Sequence, residues 1–510
     1  VYNGIILNDP QNDIAPAVHF PSSVVGAVRA LGADPRTPAI EGVVRIEELP
    51  APPQRPRTFL ELSKGTNELR QRRVHFSSAD GPVGLDLSYD ELLNDGYSFD
   101  ARELVGINAT EYGKSTSRQY GVRLRGTHDN GDAYSLGLRE FSSTFTGDLV
   151  SSSREQRRSG HLATVTADMG RLGLRLYERG YAVTYPDSHT VNETTAAAAT
   201  VRIASGPGFS LLLDAAFEDI NATQRVGGAE SAPSLSRTTG TLSSVAALGN
   251  GLAARAYVCG ADYHGYVSQW GGGVGIDGAW ERLRVGLDAR RSFRMPNLGE
   301  LFLPAHAVGG RTVAGNRYLD AEYAWEGAGH VGVTLGPFTS ETRVTGIRVK
   351  DPVVLDYLTR PGGDWLVPVN GGGAALVTIE ERVRVSTTLG WLQMHTDAAA
   401  MFTEGDRVGF FSSVPRVNTL ASFRVGGNLF EATSALFAGV EYLRGGERTG
   451  FSGEDLPSYE VFNFFLDGRL LDAQMYLALF NAFDEAYRTE GEFLMTPRTF
   501  VYGISWTLWE

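Results

Sequence analysis

The final segment alternates without interruption. Phe500, Tyr502, Ile504, Trp506 and Leu508 fall on one parity, and Thr499, Val501, Gly503, Ser505 and Thr507 on the other. Successive side chains of a strand point to opposite faces, so one face is wholly apolar and the other small and mostly polar. The same two-residue period recurs upstream. Leu172, Leu174 and Leu176 oppose Arg171, Gly173, Arg175 and Tyr177, and Leu283, Val285, Leu287 and Ala289 oppose Arg282, Arg284, Gly286 and Asp288. Phe209, Leu211, Leu213, Ala215 and Phe217 share a third such face. Tight-turn signals separate these strands, among them His128-Asp129-Asn130-Gly131 and Leu248-Gly249-Asn250-Gly251. Convincing helical periodicity is missing.

Periodicity alone fits two architectures, a series of soluble sandwiches or one large membrane barrel with an apolar lipid face and a wet lumen. Length favours the barrel, because a sandwich of roughly 100 residues would have to recur and no such repeat is visible. The predicted fold is all-β, a transmembrane antiparallel β-barrel of about 22 strands with a truncated N-terminal plug segment in its lumen. Pro50, Pro52, Pro53 and Pro56 form a joint that divides residues 1–56 from a barrel over 57–510. Turn spacing gives connections that are mostly short to moderate. Some 50 N-terminal residues would then fill the lumen only partly, leaving the seal to a further segment, infolded loops or a partner chain, with a segment or partner favoured because the connections are short.

Composition narrows the function. No stretch approaches about 18 consecutive apolar residues, which excludes a helical span but not a barrel. The formal charge is -13, which argues against a nucleic-acid partner. Cys259 is the only cysteine, and no HxxH, HxxxH or HExxH spacing occurs, so no metal site or other cofactor is expected. The GxSxG elbow and the P-loop are also absent, so no enzyme activity is expected.

Five motifs carry a resemblance. Phe293-Arg294-Met295-Pro296-Asn297-Leu298-Gly299-Glu300-Leu301-Phe302 resembles the FRxPxLxELF segment of TonB-dependent outer-membrane receptors. Gly315-Asn316-Arg317-Tyr318-Leu319-Asp320-Ala321-Glu322 is similar to their GNPxLxPE, and Val369-Asn370-Gly371-Gly372 with Glu380 to their VNxG…GxE. Leu479-Phe480-Asn481-Ala482-Phe483-Asp484-Glu485-Ala486-Tyr487 resembles NLFDxxY, and Pro497-Arg498-Thr499-Phe500 resembles PGRTF without its glycine. Val1 to Gln11 and Gly42 to Ile46 look like parts of the family's plug, whose first half has no counterpart here. Most of these residue types fit turns and strand ends, and their expected role is architectural.

The resemblance implies a protein of the bacterial outer membrane taking up a scarce solute: a ferric chelate, a cobalamin-like molecule or an oligosaccharide. The implied partners are outer-membrane lipid and lipopolysaccharide, and a TonB-type energy transducer. The altered plug leaves a second reading, a transport-inactive barrel serving as passive pore or structural subunit beside other outer-membrane subunits or a plug-supplying chain. Candidate ligand-binding residues are the lumen-facing Arg282, Arg284, Arg290, Arg382 and Arg384. They either pair with wall carboxylates or focus a positive field on an anionic solute, and spacing does not separate the two.

Overall fold

The computed structural model describes residues 25–31, 43–48, 55–100, 108–112, 114–149, 152–185, 188–308, 311–360, 363–406, 414–430, 433–449, 455–490 and 493–508. The N-terminal plug-like stretches at 1–24 and 32–42, and the prolines at 50, 52 and 53, lie outside them. Val25–Leu31 and Val43–Glu48 pair as an antiparallel hairpin. From Arg57 to Leu508 the strands close into one antiparallel barrel of 22 strands. Closure is made by Arg57–Gly65 against Thr499–Leu508, with Leu60 opposite Trp506 and Leu62 opposite Ile504.

The alternation read from the sequence sets the two faces. Tyr502, Ile504 and Trp506 are exposed on the outer wall, whereas Thr499 and Ser505 are buried. Leu174, Leu176, Leu213, Phe217, Leu283 and Leu287 are likewise exposed outward. In water such a surface would aggregate, and in a bilayer it is the lipid contact. Exposed aromatic residues fringe it, Trp280 and Trp391 in the short turns at one end and Trp270 and Trp325 close to the opposite ends of their strands. These are the girdles of a transmembrane barrel of the outer-membrane type.

Connections differ between the two ends. At one, strands turn back almost at once, as from Met169 to Leu172, Gly249 to Leu252 and Leu389 to Leu392. Asn250 and Gly251 at one of these turns take φ of 50° and 79°, the pair of positive values that a two-residue hairpin of matching twist demands. At the other end lie the connections 95–113, 295–321, 351–373 and 481–498. Short turns mark the periplasmic side of such barrels and long loops the external side. These loops exceed the short-to-moderate connections expected from turn spacing. Their extended pieces mimic barrel strands in sequence, yet pair elsewhere. His306–Val308, Arg311–Val313, Gly363–Asn370 and Val353–Arg360 form a separate four-stranded sheet joining two loops, with Thr312 and Trp365 in parallel register.

Candidate functional site: an infolded loop at the external mouth

The connection after Leu283–Arg294 folds into the barrel. Ile220, Ala222, Leu235, Cys259, Ala261 and Tyr263 project inward from the wall and form one buried cluster with Phe293, Met295, Leu298, Leu301, Phe302 and Leu319. A loop in water has no reason to be apolar, and here its apolar residues are the ones buried against the inner wall. Gln224, fully buried on the same wall, donates to the Leu298 carbonyl at 3.5 Å.

The motif residues build this element. Asn297 caps the short helix Leu298–Phe302: its side chain accepts from the Glu300 amide at 2.8 Å, and Glu300 accepts from the Asn297 amide at 2.8 Å. Arg294 grips both faces of the turn. Its Nη1 and Nη2 donate to Glu300 at 3.0 Å each, and its Nε and Nη2 to the fully buried Glu322 at 2.7 and 2.9 Å. The start of one motif is thereby clamped to the end of the next. Gly315 lies so close to the helix that a Cβ there would sit 2.6 Å from the Leu303 nitrogen. Asn316 donates to the Pro368 carbonyl at 3.0 Å, and Asn370 binds the Asp320 amide, the Asp320 carbonyl and the Asp351 carbonyl. Asn481 does the same work at the last loop, donating to Glu485 and Thr496 carbonyls. The architectural role expected of these residues is what the geometry gives.

On the outward side of the infolded loop a concavity of about 490 Å³ is lined by Glu230, Phe302, Asn316, Arg317, Tyr318 and Trp365. Tyr318 is 92% exposed, and the Arg317 guanidinium lies 5.4 Å above the Phe302 ring. Tyr266 meets Phe302 edge-on at 5.3 Å. Aromatic faces, one cation and one carboxylate converge on one opening. Sequence reasoning passed over these residues. The signal was a departure within a motif, since Arg317 follows Gly315-Asn316 where the family pattern has proline, while Tyr318 sits at an unconstrained position.

The five arginines expected to face the lumen fall in three places. Arg290 is buried and ion-paired with Glu326. Arg382 and Arg384 converge on Asp397, Arg382 Nε at 2.9 Å from Oδ1 and Arg384 Nε at 3.1 Å from Oδ2. Arg284 stands in the same inward row, since register runs from Arg284 to Gly332, from Gly332 to Glu341 and from Glu341 to Arg382. Arg282 lies in the short turn before Leu283, where its carbonyl accepts from the Thr334 amide at 2.9 Å. The wall is neutralised locally elsewhere too, as where Arg73 bridges Glu61 at 3.0 Å and Asp90 at 2.8 Å.

A closed 22-stranded barrel with a lipid-facing wall and loops gathered at one mouth defines a fold, that of the TonB-dependent outer-membrane receptors. Solved structures carry that likeness. The copper transporter OprC matches with a TM-score of 0.78 at 13% identity, over 100% of this chain and 90% of that one. A variant of the ferric enterobactin receptor PfeA from Pseudomonas aeruginosa matches with a TM-score of 0.78 at 12% identity, over the same shares of the two chains. The FrpB iron transporter from Neisseria meningitidis (F5-1 variant) matches with a TM-score of 0.75 at 13% identity, over 97% and 89%. No family model and no curated protein matches the sequence.

Proposed function

We propose that this chain is an outer-membrane uptake receptor whose ligand first binds at the external mouth, against Phe302, Arg317, Tyr318 and Trp365. The observation that carries this reading is the infolded loop. It presents a preordered aromatic and charged concavity at the open end of the barrel, where a solute would arrive. Rings with an adjacent guanidinium suit a compact ligand with a planar or aromatic surface and an anionic group, as in a metal chelate. The neighbours named as iron, ferric enterobactin and copper proteins support that class. The inner-wall arginines then serve as a second, weaker station, because Arg290 is paired with Glu326, and Arg382 and Arg384 with Asp397.

The test is equilibrium binding of the purified chain to ferric catecholate, ferric hydroxamate, haem and copper. Saturable binding of one of these is expected, weakened roughly tenfold or more by Arg317→Ala as a desolvated cation–π and charge contact is lost. Absence of saturable binding by all four, or indifference to both Arg317→Ala and Tyr318→Ala, would overturn the reading.

A further inference from the structure

A groove of about 710 Å³ runs across the outer wall beside the seam where the barrel closes. Leu62, Leu436, Leu466, Met475, Leu477 and Ile504 line it. Its depth comes from Gly468, which occupies an outward position opposite Leu436 and Met475 and offers no side chain. A Cβ at Gly468 would make only ordinary contacts, the nearest 3.8 Å to Leu436 Cδ1, so packing does not demand glycine there. The groove is apolar and open to the bilayer.

One end of the same groove is basic. Lys64, Arg70 and Arg72 line it, with Lys64 directly opposite both Arg70 and Tyr502. Like charges facing one another across a strand pair oppose folding unless an anion sits between them. Arg118 adds a further cation, standing across Glu91 from Arg72. Among the described residues three carboxylates, Glu68, Glu91 and Asp95, act on these four cations. Glu68 pairs with Arg70, while Glu91 holds Arg118 at 3.0 Å and lies 3.7 Å from Arg72. The side chains of Arg70 and Arg72 remain 47% and 59% exposed. This surplus charge sits at the long-loop end, hence at the level of the external leaflet. Guanidinium groups match phosphate oxygens in fork geometry, and basic clusters beside a membrane-spanning surface bind anionic head groups.

We propose that this groove holds one phosphorylated lipid A of the external leaflet, its phosphates on Lys64, Arg70 and Arg72 and its acyl chains over Gly468. The inference rests on the outer-membrane placement in the proposed function but not on the transported ligand. The experiment is therefore run on the full chain in detergent, without a solute. Bis-phosphorylated lipid A is added and retention followed by native mass spectrometry. A single bound lipid is expected, its retention falling roughly tenfold or more when three phosphate contacts are removed in the triple variant K64A/R70A/R72A. Gly468→Trp, which fills the groove and leaves the charges, is expected to reduce retention as well. Heat-modifiable gel mobility reports that both variants remain folded barrels. Equal retention by the triple variant, or equal retention of dephosphorylated lipid A or of phosphatidylglycerol, overturns the proposal. A chain that binds none of the four solutes yet retains lipid A would overturn only the uptake reading.

Discussion

Arg294 ties two motifs together through one side chain. Its guanidinium joins Glu300 of the cap to Glu322, a carboxylate with no exposed surface. Removing one partner of such a group leaves buried charge uncompensated, at about 3–5 kcal/mol. Arg294→Met is therefore expected to free the loop while leaving the barrel closed. The amides of Leu303, Gly315 and Asn316, which donate to Gly299, Leu303 and Glu300 carbonyls, should exchange with solvent about two orders of magnitude faster. Unchanged protection of these amides would show that the clamp contributes nothing. Gly315 tests the same region through sterics. Its absent Cβ would meet backbone atoms of Leu301, Phe302 and Leu303 within 2.8 Å, whereas one at Gly372 meets nothing within 4 Å. Gly315→Ala should cost about 1–3 kcal/mol of loop docking, read by the same exchange, and Gly372→Ala close to none.

Among elements, the closing strand Thr499–Leu508 makes the sharpest claim, because a slip of one residue inverts every side chain. Ile504 is 38% exposed to the outside and Ser505 is 8% exposed on the inside, beside Glu61. Arg at 504 should impair insertion by about 2–4 kcal/mol if it lies near the midplane, and Arg at 505 far less. Refolding into bilayers monitored against urea measures both, and equal tolerance would refute the assignment of faces. The barrel strands were legible in the sequence because one parity must be apolar along each of them. The mouth was legible only in part. Leu298, Leu301 and Phe302 do sit at helical spacing, but Leu298–Phe302 is five residues, too short for a period to declare itself. The strands His306–Val308 and Arg311–Val313 are three residues each and pair across two loops, one of them in parallel, which no local pattern encodes. Type and parity put Arg284, Arg290, Arg382 and Arg384 on the inner face, whereas Glu326 and Asp397, the carboxylates that pair with Arg290, Arg382 and Arg384, come from other strands and needed the register to be seen.

For the whole molecule, the infolded loop bears on how the lumen is filled. A 22-stranded barrel left empty is a wide channel, and the sequence pointed to a partner chain or a further segment to complete the seal. The loop between Arg294 and Glu322 supplies part of that mass from the barrel itself. Excision of residues 297–320 with a short linker is expected to raise the conductance of the purified chain in planar bilayers severalfold. An unchanged conductance would mean that the loop does not narrow the pathway.

The shared sheet of the two external loops has a thermodynamic consequence. Thr312 and Trp365 pair in parallel, and Asn370 fastens Asp320 to Asp351, before any solute arrives. A receptor whose loops fold over their cargo orders chain at the moment of binding and shows a large negative heat-capacity change with an opposing entropy. Here most of the ordering has been done during folding, so association at this rim should carry a small heat-capacity change and a modest entropic penalty. Calorimetry across a range of temperatures would register the mouth as a rigid socket. A steep temperature dependence of the binding enthalpy would instead mark it as a closing hand.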